Sequence, residues 1–506
     1  MIKRYQIEKN YEDYKKWAKE YLVQDKVDLA LESLCVACKL AHLYFIKLAD
    51  HEIEELLEII GKKIKKPRLY TSELTNRFIL YDSVGIDNMA LTQQYLRALI
   101  SWNVEFLYIL DDENKAVRAR NIINEICAYK KGDLFIVPSK SSNIEKMGII
   151  YNKISEYKPN KAFLHIDVSD VVGVSVWNNF DMITRYFINH ADHAFWIGTN
   201  CSDYVICYRS MGFNASKILR NIKGEKLLIQ PYYPIIKETT FKGLPELDEK
   251  YSVKLFSGGR YFKIYGENGE FMKMVAHILI QNPNTVMIFA GDGNDRPLNE
   301  FIKEHKFEKR WIVIDYRRDL VELMKNMDIY IGTYPINGGL MAHYAAYCGI
   351  PILERNAMNG SVIEDIFPRR DYLPKITFNS LGDYFEEANK LIRDKKYRKW
   401  KGNALATSLI KPEEFNDQLK YLLEWHKNKY SLNTFNLDLD KMCKQAIEAE
   451  NEFLHMYPRK MLNKVLLRKS IICFVISFII YLKYYGLAKI MIKVKTIIIA
   501  FVKKLK

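Results

Sequence analysis

The chain has 506 residues, too many for one ordinary hydrophobic core, so two or three domains are expected. Hydrophobic residues make up 49% and aromatic residues 13%, a composition that excludes a disordered or low-complexity protein. The formal charge of +15 would suit a nucleic-acid binder, but twelve Lys and Arg and no acid lie between Phe453 and Lys506, so the rest of the chain carries only +3 and nucleic acid is not an expected partner. Eight scattered cysteines form no disulfide framework, and the one C-x-x-C, Cys35 and Cys38, lies inside a helical run with no second pair at zinc-site spacing. The amino terminus "MIKRYQIEKNYEDYKKW" lacks the apolar stretch of a signal peptide, so a cytoplasmic protein is expected.

Residues 1–66 read as helices. "YEDYKKWAKEYLVQ", "KVDLALESLCVACKLAHLYFIKLA" and "HEIEELLEIIGKKI" each place apolar residues three and four apart, and "KKIKKP" reads as a linker. From Arg77 strands and helices alternate over 75–236. "RFILYDS", "VEFLYILDD", "DLFIVPS", "KAFLHIDVSD", "HAFWIGTN" and "KLLIQPYYP" read as strands. "ALTQQYLRALISW", "NKAVRARNIINEICAY", "WNNFDMITRYFINH" and "SDYVICYRSMG" read as helices. After a linker near 236–249, the alternation resumes over 250–430 with "VKLFSGG", "TVMIFAGDG", "WIVIDYR", "MDIYIGT" and "PILER" as strands. This pattern calls for two α/β domains with Rossmann-like parallel sheets and a ligand cleft between them. Residues 431–506 form a basic, apolar helical tail.

Ligands of open parallel sheets bind beyond the carboxyl ends of the strands. In the second domain those ends carry Ser257-Gly258-Gly259-Arg260 with Lys263, then Gly291-Asp292-Gly293, Tyr316-Arg317-Arg318-Asp319, and Asn337-Gly338-Gly339. Glycines let main-chain N–H groups approach a diphosphate at a helix start, and Arg260 or Lys263 would neutralise it. Neither a G-x-G-x-x-G after the first strand of either domain nor a G-x-x-x-x-G-K-[ST] is present, which weakens dinucleotide and ATP-loop readings.

With "LFSGGRYFK", "FAGDG" and "YRRDLVELMKNMDIYIGTYPINGGLMAHYAAYCGIPIL", residues 75–430 resemble the GT-B glycosyltransferases, nearest to their O-GlcNAc transferase-like branch. The resemblance implies that the second domain holds a nucleotide diphosphate sugar, a UDP-sugar above all. Its diphosphate would lie at Asn337, Gly338, Gly339, Leu340 and Met341, and its base near Arg317. Gly258, Gly259, Arg260, Lys263, Gly291 and Asp292 would complete the donor site. "GTNCSDY" would match a first-domain loop, placing Thr199 and Asn200 on the acceptor side. The large retaining branch has two glutamates eight positions apart, where this chain has Ile336 and Tyr344, so an inverting reaction is expected.

Inversion needs a base that takes the acceptor's proton as its oxygen attacks the anomeric carbon. Main-chain N–H groups and Arg or Lys can hold the leaving charge without a metal, and no D-x-D stands in a loop position, so neither a metal nor an obligatory cofactor is expected. Strand ends of the first domain offer Asp82, His165, Asp167 and Asp170, with Asp87 and Asn88 beyond Asp82 on the acceptor side. "NHADHAFW" adds His190, Asp192 and His193. Read as preceding a strand, they would start at the edge opposite the cleft, yet His193 joins His165 and Asp170 as a catalytic candidate. In the tail, "SIICFVISFIIYL" is 13 residues, short of the ~20 of a membrane span, and "TIIIAFV" follows between lysines. The pattern suits a helix lying on an anionic membrane face. The expectation is therefore a cytoplasmic, peripherally membrane-associated hexosyltransferase of capsule or other polysaccharide assembly. Its acceptor would be a glycan, a lipid-linked sugar or a protein. A sugar-nucleotide epimerase and a catalytically silent partner of another transferase are the alternatives.

Overall fold

The computed structural model describes residues 3–64, 76–87, 91–356, 363–368, 373–430 and 456–483. Three helices open the chain, α1 (Arg4–Val23), α2 (Val27–Leu43) and α3 (His51–Gly61), as the apolar spacing predicts. Asp50 caps α3, accepting from the Glu52 and Ile53 amides at 3.0 and 3.2 Å, and its buried charge is met by Lys15 at 2.9 Å and Lys47 at 3.0 Å. Cys38 is buried in α2 and Cys35 half-buried beside it, both free thiols. These helices share one continuous core with the inner face of the first sheet, where Leu31, Leu34 and Leu57 join Ile79, Tyr81 and Leu164. The division at residue 66 is thus a break in sequence pattern, not in packing.

The first sheet has seven parallel strands in the order β3-β2-β1-β4-β5-β6-β7. They are β1 (Arg77–Asp82), β2 (Glu105–Leu110), β3 (Gly132–Ile136), β4 (Lys161–His165), β5 (Thr184–Asn189), β6 (Tyr204–Cys207) and β7 (Leu227–Ile229). Helices α4 (Thr92–Ser101), α5 (Arg120–Cys127), α6 (Asn143–Tyr157), α7 (Val171–Trp177) and α8 (Ser210–Ile218) cover its faces. Three sequence expectations fail here. "WNNFDMITRYFINH" is not a helix: α7 ends at Trp177, and residues 184–189 form β5, pinned where the Arg185 amide and guanidinium bond Asp203. "HAFWIGTN" forms no strand, and its buried Phe195, Trp196 and Ile197 run irregularly along the core. "SDYVICYRSMG" splits into β6 and the start of α8. Short apolar runs buried on both faces carry neither period, so pairing with neighbours decides them.

The second sheet has six parallel strands in the order β10-β9-β8-β11-β12-β13. They are β8 (Val253–Arg260), β9 (Thr285–Asp292), β10 (Trp311–Ile314), β11 (Ile329–Ile331), β12 (Ile352–Arg355) and β13 (Thr377–Phe378). Its helices are α9 (Gly266–Gln281), α10 (Arg296–Glu304), α11 (Leu320–Met324), α12 (Gly339–Tyr347), α13 (Leu381–Arg393) and α14 (Lys395–Thr407). The chain then returns to the first lobe: α15 (Pro412–Trp425) places Phe415 edge-on to Tyr95 and Tyr233, each at 5.5 Å. Asn428 beyond it accepts from the Ile229 amide at 2.7 Å. The 250–430 division put α15 with the second lobe, because an amphipathic helix does not say which lobe it covers. Of the tail, α16 (Tyr457–Met461) and α17 (Lys464–Lys469) pack Tyr457, Met461, Val465 and Leu466 into the first-lobe core, and a helix follows at 471–483. No described helix is long and apolar enough to cross a membrane. "TIIIAFV" lies outside the described residues.

Candidate active site between the two sheets

The carboxyl edges of the two sheets face each other. Beyond β6, the Met211 amide donates to Asp365 of the second lobe at 2.7 Å. Tyr208 meets Tyr232 of the inter-lobe segment at 5.4 Å, and Tyr232 meets His343 of α12 at 4.5 Å between ring centroids. Between these edges lies a cleft that takes in part of the strand-end set singled out above.

On the second-lobe side, Gly338 caps α12 in an extended conformation and Gly339 begins the helix, so the first amides of α12, those of Gly339, Leu340 and Met341, have no helical acceptor. A Cβ on Gly338 would lie 3.6 Å from Lys263 Nζ, and one on Gly339 would lie 3.6 Å from the Tyr232 hydroxyl. The Lys263 ammonium therefore stands directly beside the N-terminus of α12. Burial pushes its pKa below the ordinary lysine value, Glu354 opposes that shift, and Arg260 adds to it. Gly258 completes the wall, with Met341 Cε 3.4 Å from its would-be Cβ and the Ala290 carbonyl at 2.8 Å, a distance that forbids a side chain. Gly259, at φ +136°, turns β8 toward exposed Arg260. Helix dipole, free amides and a neighbouring ammonium together make a pocket for a phosphate anion.

On the first-lobe side, Asp82 ends β1 fully buried and accepts from the Val84 and Gly85 amides at 2.9 Å, the Thr92 hydroxyl at 2.9 Å and the Tyr108 hydroxyl at 2.7 Å. Burial alone would raise its pKa, yet His165 and these donors hold it far below the usual carboxylate range. His165 ends β4, with Nδ1 2.8 Å from Thr92 Oγ1 and 3.2 Å from Asp82 Oδ1. Thr92 gives its one proton to Asp82, so the Nδ1–H of His165 is the donor to this pair, and Nε2 is buried without a hydrogen-bond partner among the described residues. His190 stands edge-on to His165 at 4.9 Å, its pKa lowered to about 3 by burial and by His165. The ring is thus neutral at physiological pH. The expectation that His190 sits at the far edge is overturned. Because β5 ends at Asn189, His190 follows a strand and lies at the cleft edge.

Other candidates are placed elsewhere. Asp170 caps α7 through the Gly173 amide at 2.7 Å and accepts from the Tyr81 hydroxyl at 2.7 Å. Asp192 is buried in an ion pair with Arg209, 2.5 Å away, and exposed His193 leans on it at 3.1 Å. The amides of Gly198, Thr199 and Asn200 donate to the buried Glu54 carboxylate of α3 at 2.7, 3.0 and 3.4 Å. Asp87 accepts from the Asn121 and Ile122 amides at the start of α5, while Asn88 lies outside the described residues. Arg317 pairs with Asp319 at 2.5 Å and donates to the Gly243 carbonyl at 3.1 Å, clasping the inter-lobe linker. Gly291 packs under the Tyr261 ring, and Asp292 is exposed at the end of β9.

One residue escaped the sequence analysis. Asp111, just beyond β2, is half-buried, and desolvation pushes its pKa up to about 8, although Lys115 sits 2.6 Å away. The signal was present: "YILDD" ends in an acid as "ILYD" does.

No protein-family model matches the sequence, and no curated protein matches it. Among solved structures, the O-GlcNAc transferase of Thermobaculum terrenum superposes with a TM-score of 0.50 at 13% identity, covering 84% of this chain and 79% of that one. Anabaena HepE, solved in complex with UDP and glucose, superposes with a TM-score of 0.50 at 14% identity over 69% of this chain and 99% of that one. With its two facing parallel sheets, the chain has the GT-B fold that these proteins share.

Proposed function

We propose that this protein is a glycosyltransferase that moves a hexose from a UDP-sugar to a glycan, lipid-linked or protein acceptor, without a metal and with inversion. The observation that carries this reading is Lys263 Nζ beside Gly338 at the start of α12. The donor's diphosphate lies against the amides of Gly339 to Met341, with Lys263 and Arg260 taking up charge as the leaving group departs. Across the cleft, the paired rings of His165 and His190 are the groups placed to receive the proton of the attacking hydroxyl. His165 is oriented by Asp82 and Thr92. Asp170 and His193, the other candidates, cap a helix and lean on an ion pair, so they serve the shape of the edge. The acid-free tail supports attachment to the cytoplasmic face of a membrane and a place in polysaccharide assembly.

Purified protein incubated with UDP-sugars and candidate acceptors tests the proposal. Acceptor-dependent release of UDP is expected. Conversion of the donor alone would instead make the protein an epimerase, and binding of UDP without turnover would make it a silent partner.

A further inference from the structure

The helix at 471–483 turns two different faces outward and inward. Phe474, Ser477 and Tyr481 pack against the body. Ile471, Ile472, Val475, Ile476 and Ile479 are 67, 74, 46, 50 and 57% exposed. Spacings of three, four and one keep these five on one side of the helix. A contiguous aliphatic stripe of this kind marks a contact surface. Thirteen residues span about 20 Å as a helix, well short of the ~30 Å hydrocarbon core, so such a helix lies along a bilayer and does not cross it.

We propose that this stripe docks in the plane of an anionic lipid surface and so holds the acceptor edge of the first lobe next to the membrane. Charge selects the occupant. Arg468 and Lys469 stand at one end of the helix and Lys483 at the other, and the chain from Phe453 onward contains no acid. A second copy seated on the stripe would bring these cations against themselves. Residues 484–506 add six lysines and no acid, so folding them back would crowd like charges in the same way. Acidic phospholipid headgroups neutralise them while the aliphatic face enters the acyl boundary.

The arm is fixed to α1 and α2, and through α2 to the loop beyond His193. Lys464 pairs with Glu32 at 2.8 Å, Lys469 pairs with Glu20, and Asn463 donates to the Tyr14 hydroxyl at 2.7 Å. Tyr457 packs edge-on to Tyr44 at 6.0 Å. From α2, His42 Nδ1 bonds the Phe195 carbonyl at 3.0 Å, and Lys39, like Lys460 of α16, lies within electrostatic reach of Asp167, two residues past His165. Docking of the stripe therefore sets the distance between membrane and acceptor edge, which favours a lipid-linked acceptor. That last consequence rests on the transferase reading; the docking does not.

Sedimentation of the full chain with phosphatidylcholine vesicles, with and without phosphatidylglycerol, tests the docking. Binding is expected only with phosphatidylglycerol, weakened by salt, and reduced about tenfold in the double variant I472E/I476E. The variant's thermal shift with UDP should match the parent's, which shows that the fold and donor site are intact. Equal vesicle binding by the variant, no binding to phosphatidylglycerol vesicles, or a dimer in light scattering that the variant abolishes would each overturn the docking. If UDP produces no shift in either protein while vesicle binding still depends on the stripe, the transferase reading falls and the docking stands.

Discussion

The two edges that form the cleft solve different physical problems. The first-lobe edge is a buried polar network, in which Asp82 accepts from two amides and two hydroxyls and meets His165 Nδ1. The second-lobe edge is built from glycines and free amides around a lysine whose ammonium is desolvated. A network of multiple bonds to one buried carboxylate fixes side chains before any ligand arrives, as orientation of a base requires. An edge of unspent donors and positive charge waits for an anion to complete it. Damage to the first edge should therefore appear in stability, and damage to the second in ligand affinity and turnover.

The largest effect is expected from K263M, which keeps the side-chain bulk and removes the charge beside the α12 N-terminus. Turnover should fall by about 10²–10³ with the melting temperature unchanged or raised, because a buried ammonium is lost. A variant that keeps full turnover would break the comparison on the donor side. Next, D82N should lower unfolding free energy by about 3 kcal/mol in denaturant titrations, since an amide cannot accept all the bonds the carboxylate accepts. The sign with pH follows from the depressed pKa of Asp82 in the fold. Its contribution is full above the unfolded value of about 4 and is lost as pH falls below that, so D82N should flatten the acid limb of the stability profile.

A smaller, cleaner separation should come from G338V. Its Cβ meets only ordinary contacts, at 3.6 Å from Lys263 and 3.7 Å from Met341, so the fold should hold. The added branches would occupy space in front of the amides and weaken UDP binding about tenfold by calorimetry, which is about 1.4 kcal/mol. Unchanged affinity would place the diphosphate elsewhere. The smallest effect is expected from D111N below about pH 4, within about 1 kcal/mol, because Asp111 is protonated there in both folded and unfolded chains. The fold binds its proton more tightly than the unfolded chain does, so stability is fullest below the unfolded value of about 4. It declines as pH rises toward about 8, a decline that D111N should remove. Asp82 and Asp111, on adjacent strands, should thus have opposite pH signatures.

His190 adds a further check on the acceptor edge. With a folded value near 3, its neutral ring stabilises above the unfolded value of about 6.5 and that contribution is lost as pH falls between them. Histidine NMR titration should find one ring that stays neutral down to pH values where ordinary histidines are charged.

Much of the site was legible as strand-end chemistry. Gly258 and Lys263, at and just beyond the end of β8, and Gly338 and Met341, beyond β11, come from separate stretches of the chain, yet parallel strands of one sheet deliver their ends to one edge. Asp82 and His165 converge for the same reason, because β1 pairs with β4 in register. His190 was misjudged because "TRYFIN" and "HAFWIG" are both short apolar runs, and choosing the wrong one as the strand moves the histidine to the other edge. Nor does sequence show that Arg317 clasps Gly243 or that Thr199 and Asn200 cover Glu54, since those bonds join segments far apart along the chain.

The sequence by itself determined the two rounds of strand and helix, the helical N-terminus, the polar and glycine residues at the strand ends, and the acid-free tail. Each is written in local period or local composition. Tertiary structure alone decided that α1 to α3 share the first lobe's core, that α15 crosses back between lobes, and that His190 meets His165. These outcomes depend on which buried faces find each other, and an apolar face is not addressed to any one partner until the whole chain has packed.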